Sequence, residues 1–345
     1  MTDLTPKERF MRALQGKDVD KVPVCSVTQT GTIELMDIAG AKWPEAHFDA
    51  EKMATLAIAG HEIAGLEAVR YPFDGTDIPH TLGCKIIEGT YDTQPSIVDF
   101  PCKEPKDVND LEIPENLLEC DRVATLLKTT DIVKERVDDD IPVVAGMLGP
   151  AALAMSLVGA RNYLMWFISE PDTIKELITI GTDICIEYSN ALFEHGADVI
   201  CLPDSEAGPA LIPPEFFETM ILSEYKRLNQ KVHGKTIAHI CGDASDILEP
   251  LSTSGFDGIS IEEKVDVGYA KSIIGNKACL IGNISPVETL LGMPPEQVKE
   301  EAKACIDDGI DILAPGCGLA PHTSLKNLKA FVAARDEYYL EKGKL

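Results

Sequence analysis

Short apolar runs rich in β-branched residues recur along this chain, at 22–27, 68–73, 141–146, 197–202, 235–240, 256–261, 278–281 and 310–313. Each stops at glycine, aspartate, proline or a polar cluster, the boundary expected of a short buried strand. Between them, stretches such as 172–195, 214–232 and 295–308 carry apolar residues at three- and four-residue spacing, the period of one helix face. Strands that are apolar on both faces and alternate with helices predict a parallel sheet covered on each side. Eight such units predict an α/β fold of the (β/α)8 TIM-barrel type. A doubly wound open sheet is the competing topology.

Two segments fall outside the alternation. Thr5-Pro6-Lys7-Glu8 is a capping box with proline at the first helical position, so it predicts an N-terminal helical extension that Gly16 ends. Residues 75–140 form an insertion between the second and third strands, with a hairpin expected over 85–100 and a helix over 116–137. Neither end of the insertion has a Gly/Ser linker or a charge block, so residues 1–345 are expected to form a single barrel domain.

Charge narrows the choice of partners. Asp and Glu outnumber Lys and Arg by 57 to 31, for a formal net charge of −26, and such a surface repels a nucleic-acid backbone. No basic segment followed by an apolar run opens the chain, and no stretch has the roughly 18 apolar residues of a membrane span. The expectation is a cytoplasmic protein with no nucleic-acid or membrane partner. Its ten cysteines then read as thiols or metal ligands rather than as a disulfide framework.

In a barrel of this type the chemistry sits at the carboxyl ends of the strands. The fifth run ends His239-Ile240-Cys241-Gly242, and alternation along a strand points His239 and Cys241 to the same side. The eighth run leads into Pro315-Gly316-Cys317-Gly318, which puts a third soft donor on a glycine-flanked loop at the same end. Three protein ligands and an open fourth position are the pattern of catalytic zinc, and the chain has no close Cys-x-x-Cys pair of the structural kind. Cys25, Cys185, Cys201, Cys279 and Cys305 lie in apolar runs and behave as small hydrophobes, while Cys84, Cys102 and Cys120 fall in the insertion.

Glu262 continues the inward parity of Gly258 and Ser260, with Ile259 and Ile261 facing the helices, so it is the carboxylate expected to accept a proton or complete the metal shell. A bulge at the strand end would substitute Glu263, and water could hold the fourth site instead. Gln29, Asp204 and Asn283 end other strands and would outline a polar pocket, though each could equally bond its own turn.

The pattern of Thr5 to Leu14, Val22-Pro23-Val24 leading to Thr28-Gln29-Thr30-Gly31, His239-Ile240-Cys241-Gly242-Asp243, Gly282-Asn283-Ile284-Ser285-Pro286 and Pro315-Gly316-Cys317-Gly318 resembles the uroporphyrinogen decarboxylase superfamily. Within it, the chain is similar to the methylcobamide:coenzyme M methyltransferases over essentially its whole length. The decarboxylases carry an Arg-rich segment after the first strand, but residues 27–38 contain no arginine.

The resemblance implies Zn2+, methylcobamide as methyl donor, a separate corrinoid carrier protein as partner, and coenzyme M as acceptor. The reaction class would belong to methanogenesis from methanol or methylamines. A metal-free decarboxylase-like lyase, a corrinoid methyltransferase with another thiol acceptor such as homocysteine, and a non-catalytic zinc- or corrinoid-handling protein are the competing readings.

Overall fold

The computed structural model describes residues 3–343. Its strands are β1 (Val69–Tyr71), β2 (Lys85–Ile87), β3 (Ser96–Asp99), β4 (Val143–Gly146), β5 (Val199–Pro203), β6 (Lys235–Ile240), β7 (Gly258–Ile261), β8 (Cys279–Ile284) and β9 (Ile312–Pro315). β2 and β3 form the antiparallel hairpin expected over 85–100. The other seven build one parallel sheet in the order β1-β4-β5-β6-β7-β8-β9. That order never reverses, which removes the doubly wound alternative, because such a sheet turns back at a switch point.

The sheet curls until both its edges meet one segment. Leu313 N donates to Pro23 O at 2.9 Å and Cys25 N to Leu313 O at 3.0 Å, while Glu67 N, just ahead of β1, donates to Val24 O at 2.9 Å. The run at 22–27, expected as a full strand, supplies only the single bridge Val24 to Leu313, so the sheet has seven strands rather than eight. Pro23 has no amide hydrogen to give to a ladder.

Alternation sorts the strand residues into two layers. Ala68, Val144, Cys201, Ile237, Ile281 and Ala314 pack inside the curl. Their neighbours Val69, Ala145, Leu202, Ala238, Ile259 and Leu280 pack outward with the helices. The first helix, Pro6–Leu14, starts at the Thr5 capping box and packs Phe10 and Leu14 into the inner layer. Leu14 lies beside Gly258, the first residue of β7, so this helix closes the amino ends of the strands.

The helices expected over 172–195 and 295–308 are present as Pro171–Glu194 and Pro295–Asp307. The one expected over 214–232 contains a π-helical stretch, Phe217–Ile221, between its α segments. Within 116–137, where a helix is expected, the chain forms the helix Asp121–Arg136. Among the described residues no single helix is long and apolar enough to cross a membrane.

A buried ionic clamp ties the ends of the chain together. Arg9 pairs with Asp20 and Glu67 at 2.7 Å each, and Arg335 of the last helix, Leu325–Glu341, reaches Glu67 at 3.0 Å. Glu67 also accepts from Val24 N at 3.2 Å, and Arg335 donates to Val22 O at 3.0 Å. Burial alone would raise the Asp20 carboxyl, but hydrogen bonding to Arg9 and to the Leu4 amide, with the guanidinium charge, holds it down at about 2.

Breaking one side of such a buried pair costs about 3–5 kcal/mol, so Arg9→Ala should lose that much stability in denaturant titrations at pH 7. A lowered carboxylate pKa contributes stability that is complete above the unfolded value and disappears as pH falls through the folded one. The difference between wild type and Arg9→Ala should therefore shrink from roughly pH 4 down to pH 2. A difference that stays constant over that window would show that the Arg9–Asp20 pair is not its source.

Candidate functional site

His239 and Cys241 leave β6 on the inner side, with Ile240 in the outer layer between them. β6 lies between β5 and β7, and the registers Pro203 to His239 and His239 to Ser260 fix the backbone from both flanks. Gly242 then turns the chain with φ +81°, a conformation that side-chain-bearing residues rarely adopt. Cys317 arrives from the other side of the mouth on the loop after β9, where Gly316 N donates to Ile284 O at 2.8 Å. A Cβ at Gly316 would stand 3.1 Å from Glu262 Cα, so glycine lets this loop come close to the end of β7.

These elements bring the three predicted donors together. His239 Nε2 lies 3.1 Å from Cys241 Sγ, and Cys241 Sγ lies 3.5 Å from Cys317 Sγ. All three ligand atoms fall within 4.8 Å of one another, a grouping that can hold a metal ion. His239 Nδ1 is 3.0 Å from Ser260 Oγ. With its hydrogen on Nδ1 given to Ser260, the ring presents the Nε2 lone pair to the sulfurs.

The two thiols are driven in opposite directions. A hydrogen bond from Cys241, and then His239, hold Cys317 well below the usual thiol range against the effect of burial. Its contact with Cys317, and then burial, push Cys241 up. The pair therefore favours one negative charge.

Beside the donors lies a cavity of about 640 Å³, lined by all three of them and by Thr28, Gln29, Arg70 and Asp74. Gln29 is thus at the cavity as expected, but its amide is committed. Nε2 donates to Gly31 O at 3.2 Å and to Leu319 O, and Oε1 accepts from Gly31 N at 2.6 Å. It joins the loops after 22–27 and after β9.

Asp204 and Asn283 lie elsewhere. Asp204 is 1% exposed and accepts from Ala151 N, Ala152 N and Tyr225 Oη, at 3.2, 2.5 and 2.6 Å. It serves the free amides at the start of the helix Pro150–Val158, whose N-cap Gly149 has no side chain to do so. Burial, opposed by those hydrogen bonds, raises its carboxyl to about 7. Asn283 donates to Val265 O at 2.9 Å and receives a contact from Cys305 Sγ at 3.5 Å, so it braces the back of β8 rather than the mouth.

Glu262 and Glu263 also separate. Ser260 faces His239 as alternation requires, and Glu262 lies near enough to raise Cys241 electrostatically, yet its Oε2 points toward Lys264 at 3.8 Å. Among the described residues no carboxylate joins the His239 cluster. Glu263 Oε1 accepts from Ser285 Oγ at 3.1 Å.

Arg70 and Asp74 of the cavity wall are residues that the strand-end pattern does not single out. The signal was present: Arg70 is the one charge in the run 68–73, and Asp74 follows it. Asp74 accepts from Thr76 N at 2.8 Å and faces His47 Nδ1 at 2.9 Å and Arg122 Nη2 at 3.0 Å. Burial would raise it, but His47 and Arg122 hold it well below the carboxylate range. The β2–β3 turn completes the wall, with Gln94 Nε2 donating to Phe73 O and Asp92 lying 3.5 Å from His322.

The uroporphyrinogen decarboxylase (URO-D) family model matches residues 5–338. The chain is 46% identical over 340 residues to the methylcobamide:CoM methyltransferase MtaA of Methanosarcina barkeri, covering 98% of this chain and 100% of that protein. It is 38% identical over 341 residues to the methylcobamide:CoM methyltransferase MtbA of Methanosarcina mazei, covering 98% and 99%. A solved methyltransferase from Methanosarcina mazei superposes with a TM-score of 0.94 at 45% identity, over 98% of this chain and 100% of that one. A single curled parallel sheet, three soft donors at the carboxyl ends of its strands and these full-length relatives place the chain in the uroporphyrinogen decarboxylase family, with the methylcobamide:CoM methyltransferases.

Proposed function

We propose that this protein is a zinc-dependent methyltransferase that moves a methyl group from a methylated corrinoid to the thiol of coenzyme M, 2-mercaptoethanesulfonate, in methanogenesis from methanol or methylamines. The observation that carries this reading is the convergence of His239, Cys241 and Cys317 beside a cavity large enough for a small thiol. The relatives named for that reaction support it.

The donor set fits zinc. Tetrahedral sites with Zn–S near 2.3 Å put neighbouring sulfurs roughly 3.8 Å apart, close to the 3.5 Å between Cys241 and Cys317. Ser260 orients the imidazole, as the outer partner of a metal-bound histidine does. Glu262, loosely held by Lys264, is the carboxylate we assign to the fourth position in the substrate-free state. When bound, zinc supplies Lewis acidity that keeps an acceptor thiol deprotonated at neutral pH.

The chain's own groups do the rest. The cavity holds the acceptor beside the donors and away from bulk water, and the thiolate sulfur attacks the methyl carbon. A carbon–sulfur bond forms as the cobalt–carbon bond breaks, and the electron pair stays with the corrinoid. The relatives named for methylcobamide chemistry support delivery of the methylcobamide by a separate corrinoid carrier protein that docks at the mouth. In this reading residues 1–345 act as one cytoplasmic (β/α)8 domain. Segment 22–27 serves as the eighth stave through its bonds to Leu313 and Glu67, and residues 75–140 are an insertion.

Purified protein should contain about one zinc per chain, and Cys241→Ala and Cys317→Ala should each lose it. Full occupancy in both variants by elemental analysis would overturn the ligand assignment. Binding of coenzyme M should release about one proton near neutral pH in calorimetry across buffers of different ionisation enthalpy. A count near zero would mean that the thiol does not coordinate. X-ray absorption of substrate-free Glu262→Gln should show one oxygen fewer around the metal than wild type, while Glu263→Gln matches wild type. The reverse result would transfer the role to Glu263, and no change in either would leave the position to water.

A further inference from the structure

We propose that Arg70 is the anion-binding residue of the cavity, receiving the sulfonate of the acceptor and selecting for thiols that carry a compact oxyanion. This inference rests on the methyl-transfer reading and names the group that recognises the substrate's charged end.

Arg70 sits in β1 between Val69 and Tyr71, which belong to the outer layer, and two residues after Ala68 of the inner one. It therefore points inward, where it is 5% exposed and lines the cavity. Among the described residues three other arginines are buried, and each has a carboxylate partner: Arg9 with Asp20 and Glu67, Arg122 with Asp74, and Arg335 with Glu67. Among the described residues Arg70 has none. In a protein with a net charge of −26, a buried guanidinium left without a counter-ion is the exception. Burying such a charge is unfavourable until an anion joins it.

The surroundings hold the guanidinium in one orientation. Nε donates to Val27 O at 3.2 Å and Nη1 to Pro72 O, while Nη2 makes no hydrogen bond to the protein. At the adjacent stave, Gly146 leaves the space it occupies, since a Cβ there would overlap Nη2 and Cζ. Of the two carboxylates of this wall, Asp74 is already taken by His47, Thr76 and Arg122, and Asp92 lies against His322. Burial pulls the Arg70 pKa down to about 10, with nearby Cys201, Asp74 and Cys317 holding it up, so it stays charged at neutral pH. A fixed guanidinium with free N–H donors is the group best matched to a sulfonate, carboxylate or phosphate oxygen pair.

The test uses ligands that separate the two ends of the substrate. Ethanesulfonate carries the anion without the thiol, and 2-mercaptoethanol the thiol without the anion. Calorimetry should show ethanesulfonate binding to wild type, weakened roughly tenfold to a hundredfold in Arg70→Gln and less in Arg70→Lys. With methylcobalamin as donor, the preference for 2-mercaptoethanesulfonate over 2-mercaptoethanol, as a ratio of kcat/KM, should fall by a similar factor in Arg70→Gln.

Equal ethanesulfonate affinity in wild type and Arg70→Gln would overturn the proposal, as would an equal loss with both thiols, which marks a merely structural role. Should Arg70→Gln fail to fold, Arg70→Lys carries the same comparison, and an unchanged affinity and preference there would be the contrary result. Methyl transfer by wild type to neither thiol would sink the methyltransferase reading, while ethanesulfonate binding would still decide the role of Arg70.

Discussion

Phe10 and Leu14 fill the inside of the curled sheet from one end, and Cys25, Val27, Ala68, Val144, Cys201, Ile237, Ile281 and Ala314 fill it through the middle. Interiors pack to the density of organic crystals, so nothing polar can sink into that region without a partner. The next inward positions on the same strands have only the carboxyl end to open into. Arg70, His239 and Ser260 are such positions, and their meeting follows from the packing beneath them. The loop holding Cys317 then needs only to fold back over the edge, which Gly316 allows.

Above the apolar layer, neighbours rather than residue type decide each charge. Asp74 and Asp204 are both buried carboxylates, yet one is held low by His47 and Arg122 while the other rises to about 7 among amides and a phenol. The first is fixed as an anion in the cavity wall, and the second is a hinge pin for a helix start. Cys317 and Cys241 repeat the contrast a few ångströms apart. A protein with so large an excess of acidic groups thus places its positive and negative charge locally, and the net value says little about the site.

Alternation and strand ends made much of this legible in the sequence. The periods of β6 and β7 were enough to point His239, Cys241 and Ser260 inward, and the glycines around Cys317 marked a loop able to reach them. What could not be read was the choice of partner. Asp204 looks like a mouth residue until Gly149, 55 positions away, leaves a helix start without a cap for it to serve. Asn283 follows the inward parity of β8, but its amide turns to Val265 and Cys305, partners far away in sequence. Arg70 is visible in the sequence only as a charge in an apolar run. Only the three-dimensional pairing of every other buried arginine sets it apart.

The clamp around Glu67 bears on how the chain is made. Its carboxylate takes one partner from the first helix and another from the last, and Val22 meets Arg335 across 313 positions of sequence. A ribosome delivers Arg9 before Glu67 and Arg335 only 268 positions after it. Until Arg335 emerges, Glu67 is half compensated and the segment 22–25 has no β9 to join, so the amino-terminal edge of the sheet stays unlocked in the nascent chain. Truncated products should then present an open strand edge and a partly paired buried acid together, features by which quality-control machinery can tell an unfinished molecule from a finished one.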